Sequence, residues 1–170
     1  MRKLTGFPAY IMAVLCTILC LFHLYASFMG SFAPFVQRGV HFACLLPLAF
    51  LLYPALPRSD KEKPTVVDYL CAFLAILPSL YVVIEKDYLQ NRIAYVTPLR
   101  TIELILGTLL IVLVIEAVRR AVSQVMAGLV FIFLLYLPFG NYLPGVLYHS
   151  GLNFNRLIES IYMTTGDGIY

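Results

Sequence analysis

Residues 4–37 read LTGFPAYIMAVLCTILCLFHLYASFMGSFAPFVQ, 34 consecutive positions without Asp, Glu, Lys or Arg. A helix of about 20 apolar residues covers the hydrocarbon core of a bilayer. The stretch is long enough to cross once and turn back. Two further charge-free runs follow, Gly39 to Pro57 with 19 residues and Ala121 to Asn155 with 35. Over all 170 residues only 12% are charged and 61% are hydrophobic, with a mean hydropathy of +0.87. Ordinary soluble domains carry about 25% charge. These values exclude a soluble globular enzyme and a disordered tail. The net charge of +3 is small and scattered, which excludes a phosphate-tracking nucleic-acid surface. The expected fold class is an all-α integral membrane protein: a helical bundle of four to five transmembrane helices plus a short C-terminal amphipathic helix.

The breaks between runs place the spans. Span one runs from Phe7 to Met29 and is broken by Gly30, Ser31 and Pro34. Its apolar run is too long for a signal-peptide core, so it reads as an uncleaved span. Span two covers Gly39 to Leu56, with Pro47 inside as a kink site. The one strongly polar connector is Pro57-Arg-Ser-Asp-Lys-Glu-Lys-Pro64. Span three starts after Thr65, with Asp68 at capping-box spacing, contains Pro78 and ends at Ile84. Span four starts at Thr97-Pro98 and ends at Val118, closed by Arg119 and Arg120. Span five runs from Gln124 to Phe139. The link between spans four and five holds no Gly or Pro, so a bent continuous helix and a hairpin both fit it.

Basic residues set the orientation. With the N-terminus in the cytoplasm, Arg2, Lys3, Arg58, Lys61, Lys63, Arg119 and Arg120 lie inside, and Arg38, Lys86, Arg92, Arg100 and Arg156 lie outside, seven against five. In the tail, Phe154, Leu157, Ile158 and Ile161 follow helical spacing, with Arg156, Glu159 and Ser160 on the other face. That pattern predicts a short amphipathic helix lying on the membrane surface or on a partner. The closing Thr164-Thr-Gly-Asp-Gly-Ile-Tyr170 is a polar turn leading into new apolar residues and does not read as a natural stop.

Few residues carry recognisable chemistry. Cys16, Cys20 and His23 share a helix face suited to a soft metal, or to plain helix contact. Cys44 and Cys71 also sit in apolar runs, which gives no disulfide framework. His23 and His41 fall at similar depth on neighbouring spans. They are candidates either for bis-histidine haem ligation or for local hydrogen bonding. Arg38 is the only charge between Leu4 and Pro57 and is expected to snorkel to the interface. Glu116 and Arg120 are spaced for an ion pair at a helix end, with an intramembrane proton relay as the sharper alternative. No GxSxG, HExxH or Walker loop occurs, so no enzyme is expected.

Several strings in order carry a resemblance: His23-Leu-Tyr25; Gln37-Arg-Gly-Val-His41 followed by Phe50-Leu-Leu-Tyr-Pro54; and Glu116-Ala-Val-Arg-Arg120. Next come Phe139-Gly-Asn-Tyr-Leu-Pro-Gly145 with His149-Ser-Gly151, and then Tyr162 to Tyr170. From His23 to Tyr170 the chain resembles the N-terminal, small-subunit-like part of TRAP transporter fused permeases, of the type paired with TAXI-class periplasmic binding proteins. The resemblance implies a secondary transporter in a bacterial or archaeal inner membrane, driven by sodium. It also implies a large elevator-type transport domain and a soluble solute-binding protein that delivers organic acids. By this likeness residues 1–122 form a four-span scaffold, and residues 123–170 form a connecting helix and amphipathic tail ahead of the transport domain. In the family a Gly-x-Pro-type entry follows Gly-Ile-Tyr, whereas this sequence stops at Tyr170. Sodium and substrate sites belong to that later domain, so the resemblance assigns no catalytic, substrate-binding or metal residue here. Arg38, Glu116, Arg119 and Arg120 remain structural candidates, and the bilayer and the transport domain are the expected partners. The alternative reading is a haem-binding membrane anchor using His23 and His41.

Overall fold

The computed structural model describes residues 1–30, 32–56, 62–164 and 169. Arg58 and Lys61 of the polar connector, and 165–168 and Tyr170 of the terminal turn, lie outside the described residues. The chain is all-α, with no strand among the described residues. Among the described residues, five helices are long and apolar enough to cross a membrane. The protein is a multi-pass membrane protein in contact with a lipid bilayer. It divides into two compact units, Met1–Gln90 and Asn91–Tyr170. The boundary drawn from sequence at 122/123 falls inside the second unit.

The first unit contains α1 (Phe7–Met29), α2 (Pro34–Leu52), α3 (Val66–Ile84) and the start of α4 (Lys86–Asn91). α1 and α3 have the bounds read from sequence. α2 starts and ends earlier than expected. Pro34 does not merely end the preceding segment; it opens α2, where its fixed φ suits the first turn and its missing N–H costs nothing. Both α2 and α3 continue through their internal prolines, Pro47 and Pro78, and both rings are buried. α3 presents Ala72, Ala75 and Ser79 at helical spacing, all buried. Small residues at that spacing let two membrane helices approach closely, and α2 meets α3 at Gly39, where a Cβ would lie 2.7 Å from Val83 and 3.2 Å from the Ser79 carbonyl oxygen. α1 buries only Ala26, while Leu21, Leu24 and Phe28 are exposed. In a bilayer those side chains meet acyl chains, at no hydrophobic cost.

The second unit contains α5 (Thr101–Ala121), α6 (Gln124–Phe139), a short α7 (Phe154–Ile158) and a π turn over Glu159–Met163. α5 begins at Thr101 and not at Thr97-Pro98, because the cap forms elsewhere. The Glu103 carboxylate accepts the Arg100 amide at 2.8 Å, and the Thr97 carbonyl instead accepts from the Arg92 guanidinium at 2.6 Å. At the other end Val122 (φ −109, ψ −80) leaves the helix. Ser123 (φ −167, ψ 160) then caps α6, its hydroxyl accepting the Met126 amide at 3.1 Å. Ile111 and Ile115 of α5 line one groove with Val130 and Leu134 of α6. Residues equally far from the turn therefore face each other. The link is a tight antiparallel hairpin, not a bent continuous helix, and the described residues hold five candidate spans.

Candidate functional site

Glu116 anchors the polar end of α5. Its carboxylate meets Arg119 through Nε at 2.6 Å and Nη2 at 2.7 Å, a two-pronged contact, and Arg120 Nε at 2.7 Å. The sequence pattern pointed to Arg120 alone, yet i,i+3 spacing also brings Arg119 within reach. The cluster carries one negative and two positive charges at a helix C-terminus, where the exposed carbonyls favour net positive charge. A carboxylate held by two guanidiniums is a poor proton carrier. The chemistry here is anchoring.

A second polar centre involves Glu159, which the sequence pattern placed on an outward face. The structure overturns that expectation. Glu159 is buried, pairs with Arg92 at 2.7 Å, and also accepts the Tyr95 amide at 2.6 Å. Arg92 reaches in turn to the Thr97 carbonyl. Tyr95 has φ 62, the left-handed region that an L-residue with a bulky side chain rarely adopts. Glu159 thus clamps a constrained 92–97 turn onto the tail. The tail is not a free amphipathic helix. Leu157, Ile158, Tyr162 and Met163 are buried, while Phe154 at its start is half exposed. An α-helix already turns Tyr162, four residues after Ile158, to the inward face. The π turn adds a residue, so that Met163, five after Ile158, is buried as well. Gly107 makes room for them: a Cβ there would lie 2.5 Å from Ile158 and 3.1 Å from Tyr162.

A third centre lies in the first unit. Arg2, read from sequence only as an orientation signal, is buried against Asp68 at 2.7 Å. Its amide donates to the Leu52 carbonyl at 2.8 Å and its guanidinium to the Leu51 carbonyl at 3.3 Å. Asp68 also accepts from the amide and the hydroxyl of Thr65, at 2.8 and 2.7 Å. The N-terminal segment is thereby tied to the C-terminal end of α2 and the N-terminal cap of α3. No local pattern could reveal the pair, because 66 positions separate the two residues in sequence.

His23 and His41 do come together. Nε2 of His23 lies 3.0 Å from Nδ1 of His41, with the rings edge-to-face. The two nitrogens share one hydrogen bond at a spacing that leaves no gap for a macrocycle between them. A haem held from both sides would require the rings to separate. Phe22 stacks on Phe32 beside the pair. Arg38 is exposed on α2. Cys16 and Cys20 are exposed, and no group of three or more potential metal ligands forms among the described residues.

His149, which enters the sequence reading only within the string His149-Ser-Gly151, holds the loop after α6 in place. Its Nδ1 accepts the Gly151 amide at 3.0 Å, which leaves Nε2 protonated to donate to the Tyr136 carbonyl at 3.1 Å. The ring occupies the space that a side chain at Gly140 would fill. Leu152 donates to the Leu137 carbonyl at 2.9 Å, and the Tyr136 hydroxyl donates to the Leu147 carbonyl at 3.0 Å. The loop after α6 is pinned back against the end of its own helix.

No protein-family model, no curated protein and no solved structure matches this chain.

Proposed function

We propose that the chain is the membrane scaffold part of a TRAP-type secondary transporter. It braces a large elevator-type transport domain, on the same or a separate chain, that takes up organic acids delivered by a TAXI-type periplasmic binding protein with sodium as the coupling ion. In this reading the chain sits in a bacterial or archaeal inner membrane with its N-terminus in the cytoplasm. It is not itself an enzyme. One observation supports a bracing role above the others: three carboxylates in or beside the spans are committed to structural partners. Glu116 is held by Arg119 and Arg120, Asp68 by Arg2 and Thr65, and Glu159 by Arg92 and Tyr95. A permeation path needs polar groups that can exchange partners with a passing solute or ion. Here they fasten helix ends and turns. The likeness of the ordered strings from His23 to Tyr170 supports the family reading; the fastened carboxylates support the bracing role.

The test begins with isolation of the protein from its native membrane in mild detergent. The reading expects a large polytopic membrane domain, attached or copurified, and sodium-dependent organic-acid uptake once the binding protein is added to reconstituted vesicles. A colourless preparation is expected. A preparation that carries no second membrane domain, and shows a Soret band lost in His41→Ala, would replace this reading with the haem anchor.

A further inference from the structure

The loop that follows α6 has an unusual surface. Between Arg120 and Arg156 the sequence contains no Asp, Glu, Lys or Arg. Residues 139–148 nevertheless expose Phe139, Tyr142, Val146, Leu147 and Tyr148, with Tyr142 at 78% and Val146 at 103% relative exposure. In water such a cluster is an aggregation liability or a binding surface. Its backbone is not loose. Leu143 and His149 both donate to the Gly140 carbonyl, Tyr148 donates to the Gly145 carbonyl, and the His149, Tyr136 and Leu152 bonds described above hold the loop to α6.

Depth follows from those same bonds. The apolar stretch Gln124–Tyr142 is 19 residues long and spans about 28 Å at 1.5 Å per residue. His149, Leu147 and Leu152 are bonded to Tyr136 and Leu137, in the last turns of that stretch. The chain therefore doubles back beside the helix end instead of projecting into the aqueous phase. Where a spanning helix meets the headgroups, tyrosine is favoured because its ring lies among the acyl chains and its hydroxyl reaches water.

We propose that residues 139–152 form an interfacial membrane anchor, a rigid hook whose Phe139, Tyr142, Val146, Leu147 and Tyr148 side chains insert into the headgroup–acyl boundary beside the exit of α6. The occupant of this surface is lipid. Two features favour lipid over a protein partner. The cluster has no charged residue with which to fix an orientation against another chain, and its bonds to Tyr136 and Leu137 set it at bilayer depth. The hook fixes the height of α6 in the membrane. It depends only on the membrane character of the chain and not on the transporter reading.

The protein contains no tryptophan, which gives a direct test. Tyr142→Trp and Val146→Trp, made separately, each introduce one fluorophore on an exposed surface position. Ile132→Trp on the exposed side of α6 serves as the mid-span reference. The full chain is reconstituted in phosphatidylcholine vesicles containing lipid with a nitroxide either near the headgroup or near the chain end. The anchor predicts blue-shifted emission from positions 142 and 146, quenched more by the shallow nitroxide than by the deep one and weakly by aqueous iodide. The reference position should show the reverse depth order. Strong iodide quenching with no nitroxide effect at both loop positions would place the hook in water and overturn the proposal. Protection from both iodide and nitroxide would mean that protein covers the cluster, and would overturn it equally.

Discussion

The guanidinium of Arg2 lies 2.7 Å from the Asp68 carboxylate with both side chains withdrawn from solvent, so the second residue of the chain helps to cap its third spanning helix. Removing one partner of a buried pair leaves an uncompensated charge and costs about 3–5 kcal/mol. Asp68→Asn and Arg2→Gln should each lower the stability of the first unit by that order in a detergent-unfolding assay. The double replacement Arg2→Gln with Asp68→Asn should lose clearly less than the sum of the two single changes. Additive losses would show that the two side chains do not interact.

Gly107 is expected to tolerate almost nothing. A methyl group there would press on Ile158 and Tyr162, both fully buried. Overpacking of a filled contact costs about 1–3 kcal/mol. Gly107→Ala should lower the thermal midpoint, and Gly107→Val more so. Limited proteolysis should then cut after Asn153 sooner than in the native chain. An unchanged cutting rate in Gly107→Val would mean that the tail does not dock on α5.

Tyr95 holds a left-handed backbone conformation whose cost for an L-residue is about 1–2 kcal/mol. Tyr95→Gly removes that cost, while the loss of a half-exposed side chain subtracts little. Its stability should equal or exceed that of the native chain. Tyr95→Val should be the less stable variant, since a β-branched residue resists this conformation most. Thermal unfolding of the pair gives the order directly.

Glu116→Gln separates anchoring from proton relay. The change removes the charge that holds Arg119 and Arg120 and should cost about 1 kcal/mol, since Glu116 and Arg119 are partly open to solvent. Under the proposed transporter reading, uptake per folded molecule by the complete reconstituted system should stay near the native level. A loss of uptake in fully folded protein, rescued by Glu116→Asp, would point to a proton-carrying role.

His149→Ala should release the loop after α6, because it leaves the Tyr136 carbonyl and the Gly151 amide without their side-chain partner. Orphaned groups of this kind cost about 1–3 kcal/mol. Hydrogen exchange at the Leu152 and Tyr148 amides should quicken, with α5 unaffected.

The spans were legible because each charge-free run is bounded by prolines, glycines or paired charges. α1, α3 and α6 have the limits read from sequence. Asp68 shows its capping role locally and was equally readable, whereas the Ser123 cap that turns α5 back into α6 was not singled out. What stayed hidden depends on contacts between distant positions. α5 starts late because Arg92 occupies the Thr97 carbonyl. Arg2 and Glu159 look like surface charges until Asp68 and Arg92 stand opposite them. The 3.6-residue period misread the end of the tail because a π turn does not obey it: a helical wheel turns Met163, five residues after Ile158, outward, yet Met163 is buried.

That same turn makes the tail sensitive to length in a way that its composition is not. A π turn is an α turn that holds one extra residue. Excision of one residue from Glu159–Met163 would let it close as an ordinary α turn, with one bulky side chain on the buried face in place of Tyr162 and Met163 together. The segment works as slack in the chain: it takes up one residue of length while the backbone on either side keeps its course.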